Sequence, residues 1–194
     1  MGRHKFSLGS RPRVRMPTPE VIETSRLRLV PFDERHFTAR YVGWLNDPAV
    51  VRFNEQRHRR HDLSGCREWV EAMRAGGHPL WAIETNDPAL GHVGNIAAYV
   101  DPANRVADVT ILIGERSAWG HGIGVEAWQA VCDWLLARGR MRKVSGGTMA
   151  ANRAMVRIME RAGMHPDGIR TGQFLLDGQA VDLVHYARFA PALA

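Results

Sequence analysis

A single mixed α/β domain is the fold this sequence predicts, and three observations carry the prediction. Strand-like and helix-like segments follow one another in the order β, α, α, β, β, β, α, β, α, β, β, with no internal repeat. A glycine-rich segment, Trp119-Gly120-His121-Gly122-Ile123-Gly124-Val125-Glu126, joins an apolar strand-like run to an amphipathic helix-like run. Near the end, Asp177-Gly178 sits between two β-rich stretches, the favoured pair for a two-residue hairpin.

The elements follow from local chemistry. Residues 21–30 alternate apolar Leu27 and Leu29 with polar partners, a first strand stopped at Pro31. Asp33 can cap a helix carrying Phe37, Tyr41, Trp44 and Leu45 at 3–4 spacing, and Asn46-Asp47-Pro48 breaks it. Asp62 or Ser64 opens a second helix through Trp69, Val70 and Met73, stopped by Gly76-Gly77. Residues 80–85, 91–99 and 107–113 read as three strands separated by turn-rich joints. Val125, Trp128, Val131, Cys132, Leu135 and Leu136 form one helical stripe that Gly139 ends. A strand over 143–149, a helix over 152–162 and a hairpin over 173–189 complete the chain.

Composition narrows the class. With 194 residues, 45% hydrophobic and 24% charged, the chain suits one stable globular domain. No apolar run is long enough to cross a bilayer, and no secretory signal is legible. Cys66 and Cys132 are too few for a disulfide framework, so a reducing cytoplasm is the expected setting. The net charge of +6 is uneven: residues 1–19 hold five Lys/Arg and no acid, leaving twenty-one bases against twenty acids. The expectation is a basic flexible tail at 1–19 and one domain over 20–194, with no nucleic-acid or membrane partner. No metal site is expected.

The glycine segment leaves backbone N–H groups uncovered where a helix begins, a seat for a phosphate or pyrophosphate. It is not a P-loop, because no Gly-Lys-Ser/Thr follows; nor a dinucleotide fingerprint, because the third glycine would fall at Val125. Residues 119–124 resemble the Gln/Arg-x-x-Gly-x-Gly/Ala loop of the GNAT superfamily of acyl-CoA-dependent N-acyltransferases, with Trp119 in the Gln/Arg place. Trp-Gly-x-Gly is common in the branch holding ribosomal-protein, polyamine and amino-sugar acetyltransferases. Asn152 to Met155 with Glu160 to Met164, the strand at Thr24 to Leu29, and the hairpin at Asp177-Gly178 are similar to three further family segments, in the same order. The likeness spans 21 to about 189.

The resemblance implies a mostly antiparallel sheet, flanked by helices, whose central strands splay to admit acetyl-CoA. It assigns the cosubstrate to Leu112 and Ile113 (pantetheine pairing with the strand), to Trp119, Gly120, His121, Gly122, Gly124 and Val125 (pyrophosphate), and to Asn152 (pantetheine arm). The amides of 120–125 would hold the pyrophosphate without any cation. The implied reaction is direct attack of a primary amine on the thioester. Asp108 is the first candidate for the base that takes the amine proton, with Glu115 second and a water chain to bulk as another route. The usual Tyr and Ser donors to the leaving thiolate are Met159 and Met155 here.

Residues 41–55 are similar to a helix–loop of bacterial amino-sugar N-acetyltransferases, which points to Trp44, Arg52 and Phe53 as acceptor-binding residues. The acceptor expected is an amino sugar or sugar nucleotide, a small-molecule amine. A protein α-amine, and a silent acyl-CoA-binding protein, stay open. A cytoplasmic homodimer completes the expectation.

Overall fold

The computed structural model describes residues 16–191. Most of the basic segment at 1–19 lies outside the described residues. From Met16 onward the chain is docked: Met16 packs against the core, and the Trp81 and Trp134 indoles donate to Glu20.

Eight strands form one open sheet: β1 (Ile22–Glu23), β2 (Leu27–Pro31), β3 (Leu80–Thr85), β4 (His92–Asp101), β5 (Val106–Ile113), β6 (Lys143–Met149), β7 (His165–Leu176) and β8 (Gln179–Phe189). They lie in the order β1-β2-β3-β4-β5-β6-β8-β7. Every neighbouring pair is antiparallel except β5 and β6. The mixed, mostly antiparallel α/β fold expected from the sequence is the fold found.

Two apolar layers flank the sheet. On one face α4 (Ile123–Ala137) and α5 (Arg153–Arg161) pack Trp128, Val131, Leu135 and Met159 against Leu27, Leu29, Ile83, Ile96, Val109 and Val144. On the other, α1 (Ala39–Leu45) and α3 (Leu63–Ala75) pack Tyr41, Trp44, Cys66, Val70 and Met73 against Val30, Leu80, Ala82 and Ala97. The short α2 (Pro48–Val51) lies between α1 and α3 in the chain and is capped by Asp47.

The helix expected after Asp33 is split. Asp33 caps only a 3₁₀ turn, Glu34–His36; Thr38 then starts α1, its hydroxyl accepting the Tyr41 amide. Asp62, not Ser64, caps α3 through the Gly65 amide. The terminal hairpin begins at His165, eight residues before the expected strand start. Its residues there are exposed, so no apolar alternation marks them.

Strands β5 and β6 position the site. Their parallel pairing covers only Val106–Lys143, Ala107–Val144 and Asp108–Ser145. From Val109 on, the β6-facing edge of β5 has no strand partner among the described residues. On β6, Gly146 lacks a side chain where a Cβ would lie 2.6 Å from the Trp128 ring. The absence of that Cβ lets Trp128 of α4 lie directly beneath the fork.

Candidate active site

Two clefts meet at the fork. One, of about 530 Å³, lies between the free edge of β5, the glycine loop, α4 and α5. The other, of about 580 Å³, lies between β4, β5, α1, α3 and the 3₁₀ segment Glu55–His58. Asn54, Thr110, Ile111 and Leu112 line both. A group seated in the first cleft can therefore meet one seated in the second at the middle of β5.

The glycine loop is shaped for close approach. Gly120 and Gly122 both have φ of 79°, a region that costs other residues about 1–2 kcal/mol. Gly122 is the N-cap of α4 and provides no side-chain cap, so the helix's positive end is left for an anion. Gly124 faces α5, where a Cβ would fall 2.8 Å from Ile158 Cδ1. Trp119, Gly120, Gly122, Gly124 and Val125 all line this cleft, as do Leu112, Ile113 and Asn152. His121 does not: its side chain is exposed, and its carbonyl accepts Arg26 Nη1 at 2.7 Å.

Two of these residues also bond within the protein. The Ile113 carbonyl accepts the Trp119 indole at 2.8 Å. Asn152 caps α5 through the Met155 amide and donates from Nδ2 to Thr148 Oγ1 at 3.1 Å. The cap and the cleft-lining position hold together.

Cations that were not singled out surround the loop. Arg26 bridges it: the guanidinium reaches the His121 carbonyl and Glu126, with Nε to Oε2 at 2.7 Å. Glu126, in the first turn of α4, also accepts from Thr24, Ser25 and the Arg26 amide. Burial pushes its carboxyl up, but these donors outweigh that and hold it below the usual range. On α5, Arg157 and Arg161 stand one turn apart, line the cleft, and have no ion pair among the described residues. Cationic side chains therefore stand in the cleft beside the loop amides. An i,i+4 arginine pair was legible in the sequence; the contact between Arg26 and Glu126, 100 residues apart, was not.

The acceptor candidates divide. Phe53 lines the first cleft. Arg52 lines neither, pairing with Asp177 at 3.2 Å and lying over the Phe53 ring. Trp44 is brought to the core instead: it is 6% exposed, packs where a Gly114 side chain would be, and meets the His92 ring at 5.0 Å. Asp108 is exposed at the last paired position of the fork, its Oδ2 accepting Ser145 Oγ at 2.9 Å. It lines neither cleft but shares the strand face of Thr110 and Leu112. Glu115 is committed elsewhere: Arg40 donates to it, Ser117 is capped by it, and these bonds hold its carboxyl low. Met155 lines the first cleft and Met159 is fully buried. Tyr186 donates to Glu160 at 3.1 Å.

This constellation of forked strands, glycine loop and capped α5 has a counterpart in a known family: residues 26–165 match the model of the acetyltransferase (GNAT) domain. The chain belongs to the GNAT acetyltransferase family. Its reaction is therefore acetyl transfer from the cosubstrate acetyl-CoA to an amine nitrogen. The uncharacterized protein YkkB of Bacillus subtilis is 26% identical over 148 residues, covering 73% of this chain and 83% of that one. The acetyltransferase of Salmonella typhimurium that modifies the N-terminal serine of ribosomal protein L7/L12 superposes with a TM-score of 0.73 at 20% identity, over 89% of this chain and 100% of that one. Spermidine N-acetyltransferase from Vibrio cholerae, solved with CoA and spermine, gives 0.75 at 14% identity, over 86% and 96%. At such identities the solved structures speak for the fold alone. Among the described residues no cluster of His, Cys, Asp and Glu could hold a metal ion, and no helix is long and apolar enough to cross a membrane.

Proposed function

We propose that this GNAT enzyme acetylates the amine of an amino sugar or sugar nucleotide, by direct attack on the thioester. The observation that carries the reading is the meeting of two clefts at Thr110–Leu112: one bordered by the glycine loop, the other lined by Tyr41, Asn95, Arg59 and Arg60. Gly120, Gly122, Gly124 and Val125 hold the pyrophosphate on helix amides, with Arg157 and Arg161 adding charge. His121 stands at the loop's outer edge as a further donor. Leu112, the Ile113 amide and Asn152 guide the pantetheine arm, with Trp119 fixing the strand end. Phe53 borders the reacting centre, while Arg52 and Trp44 act on the acceptor through the helix–loop they shape.

Asp108 is the proposed base. Two residues along a strand span about 6.6 Å, so its carboxylate serves Thr110's neighbourhood through an intervening water rather than by contact. Ser145 fixes its orientation. Proton removal is needed because an amine near neutral pH is mostly protonated.

Acetylation of a protein α-amine is the second reading, supported by the L7/L12-modifying neighbour. Thiol release from acetyl-CoA, with a 4-amino-dideoxy sugar nucleotide beside a seryl peptide, separates the two. Turnover of the sugar nucleotide alone supports the first; turnover of the peptide alone replaces it. A cytoplasmic, homodimeric enzyme is the accompanying proposal, checked by size-exclusion with light scattering.

A further inference from the structure

The floor of the second cleft holds two polar groups that the protein leaves unmatched. Asn95, in the middle of β4, is 7% exposed, lines the cleft, and pairs across the sheet with Leu112. His92 Nε2 lies 2.9 Å from Asn95 Oδ1 and 3.0 Å from the Gly94 carbonyl. A carbonyl only accepts, so this ring nitrogen carries the hydrogen, and Asn95 must turn its oxygen toward it. Its Nδ2 then points away from His92, is buried, and has no partner among the described residues. A buried donor left unmade is costly, so a cleft that retains one is built to meet an acceptor atom.

Tyr41 supplies the second group. It is 3% exposed and lines the same cleft from α1. Its backbone amide is capped by Thr38; its hydroxyl takes no bond among the described residues and, unlike Asn95 Nδ2, is not sealed from solvent. Burial pushes the phenol well above its ordinary value, so it remains an uncharged hydroxyl. Cys66 beside it is likewise held as a neutral thiol, by burial first and by Asp62 second. Among the described residues no carboxylate lines the deep part of the cleft. Asp62 and Glu68 are exposed at its rim, with Arg59 and Arg60. Those two arginines form no ion pair among the described residues.

We propose that Asn95 and Tyr41 form the specificity floor of the acceptor cleft, donating to a hydroxyl or carbonyl oxygen close to the reacting amine, so that the enzyme takes oxygen-bearing amines and rejects polyamines. This rests on the N-acetyltransferase reading and narrows its substrate class. A polyamine offers only N–H donors when protonated and cannot satisfy Asn95 Nδ2, nor does the neutral floor hold a second ammonium. A sugar hydroxyl or the first carbonyl of a peptide can. Sites built to bond a substrate oxygen discriminate strongly against analogues that lack it.

The test is thiol release from acetyl-CoA by the wild-type protein, Asn95→Asp and Tyr41→Phe. The probes are a 4-amino-dideoxy sugar nucleotide, a seryl peptide and spermidine. Acetyl-CoA affinity is measured for each protein by calorimetry. Asn95→Asp keeps an oxygen for His92 but replaces the donor by a charged acceptor, whereas Tyr41→Phe removes only the hydroxyl and adds no charge. Expected are a wild-type preference of about 100-fold or more for an oxygen-bearing probe over spermidine, and a loss of about tenfold or more in kcat/KM for that probe in each variant. Acetyl-CoA affinity stays unchanged, and spermidine gains relative to the oxygen-bearing probe in Asn95→Asp. Spermidine as the best probe, or variants that turn over the oxygen-bearing probe at the wild-type rate, overturn the floor and leave the N-acetyltransferase reading standing. No thiol release with any probe overturns that reading, and the floor with it.

Discussion

Replacing Gly122 separates charge from backbone strain at the proposed phosphate seat, because two substitutions share the strain, one adds a carboxylate arm, and salt screens only its charge. Gly122 has φ of 79°, and a Cβ there meets nothing nearer than Arg26 Nη2 at 3.4 Å. Gly122→Ala therefore costs the left-handed penalty of about 1 kcal/mol and little else, a rise of about fivefold in the dissociation constant if all of it falls on the bound loop. Gly122→Glu adds the same strain plus a carboxylate at the N-terminus of α4. At about 5 Å and an effective dielectric of about 20, repulsion from one phosphate charge is about 3 kcal/mol, which adds a further factor of about 100. Arg26 does not cancel it, since its guanidinium is already held by Glu126 at 2.6 Å. Acetyl-CoA binding is measured by calorimetry at low salt and at about 1 M salt, with melting temperatures as the control for folding. The two variants should melt alike, differ by about 100-fold in affinity at low salt, and converge as salt screens the repulsion. Gly122→Glu binding within threefold of Gly122→Ala at low salt refutes the phosphate seat.

Three further outcomes are expected. Arg26→Ala removes the loop's anchor on the His121 carbonyl and a nearby positive charge, so KM for acetyl-CoA rises about tenfold with kcat little changed; Arg26→Lys, with a single ammonium, restores only part of it, and steady-state kinetics shows the split. Asp108→Asn lowers the rate at pH 7 more than at pH 9, where more of the amine is already deprotonated; an equal loss at every pH removes Asp108 as base. His92 is held to about 4, chiefly by burial and then by its His36 neighbour, against an ordinary 6.5. Its folded value is depressed, so the unfolded chain binds the extra proton: its share of stability is complete above pH 6.5 and is lost as pH falls toward 4, by up to about 3 kcal/mol. Urea melts across that window should show a shallower pH slope in His92→Gln, and an unchanged slope contradicts the assignment.

The fold was legible because its signals are local. Asp62 and Asn152 announce their helices by capping, Pro31 closes the first strand, and Asp177-Gly178 fixes the hairpin turn, whereas Asp47, expected only to break a helix, also caps the short α2. The glycine loop was legible for the same reason. Where tertiary packing decides, the sequence was silent. Trp44 reads as an aromatic on a loop-flanking helix, and only the missing side chain at Gly114 makes it a core residue. Arg26 and Glu126 each look like a surface charge until the sheet brings them together. Asn95 sits in an apolar run, and its unmatched amide becomes visible only once His92 has claimed its oxygen. The glycine-loop cleft, shaped largely by backbone, was therefore more readable than the second cleft, made of side chains from several separate elements.

Two clefts meet at Thr110–Leu112, and the proposal is that an acetyl group passes between them. Its most direct test is a mass-spectrometric assay with isotopically labelled acetyl-CoA and a 4-amino-dideoxy sugar nucleotide, scoring the N-acetylated product against free thiol. The account predicts one labelled amide for each thiol released. Tight acetyl-CoA binding with neither thiol nor amide formed, on this or any other amine, would contradict it.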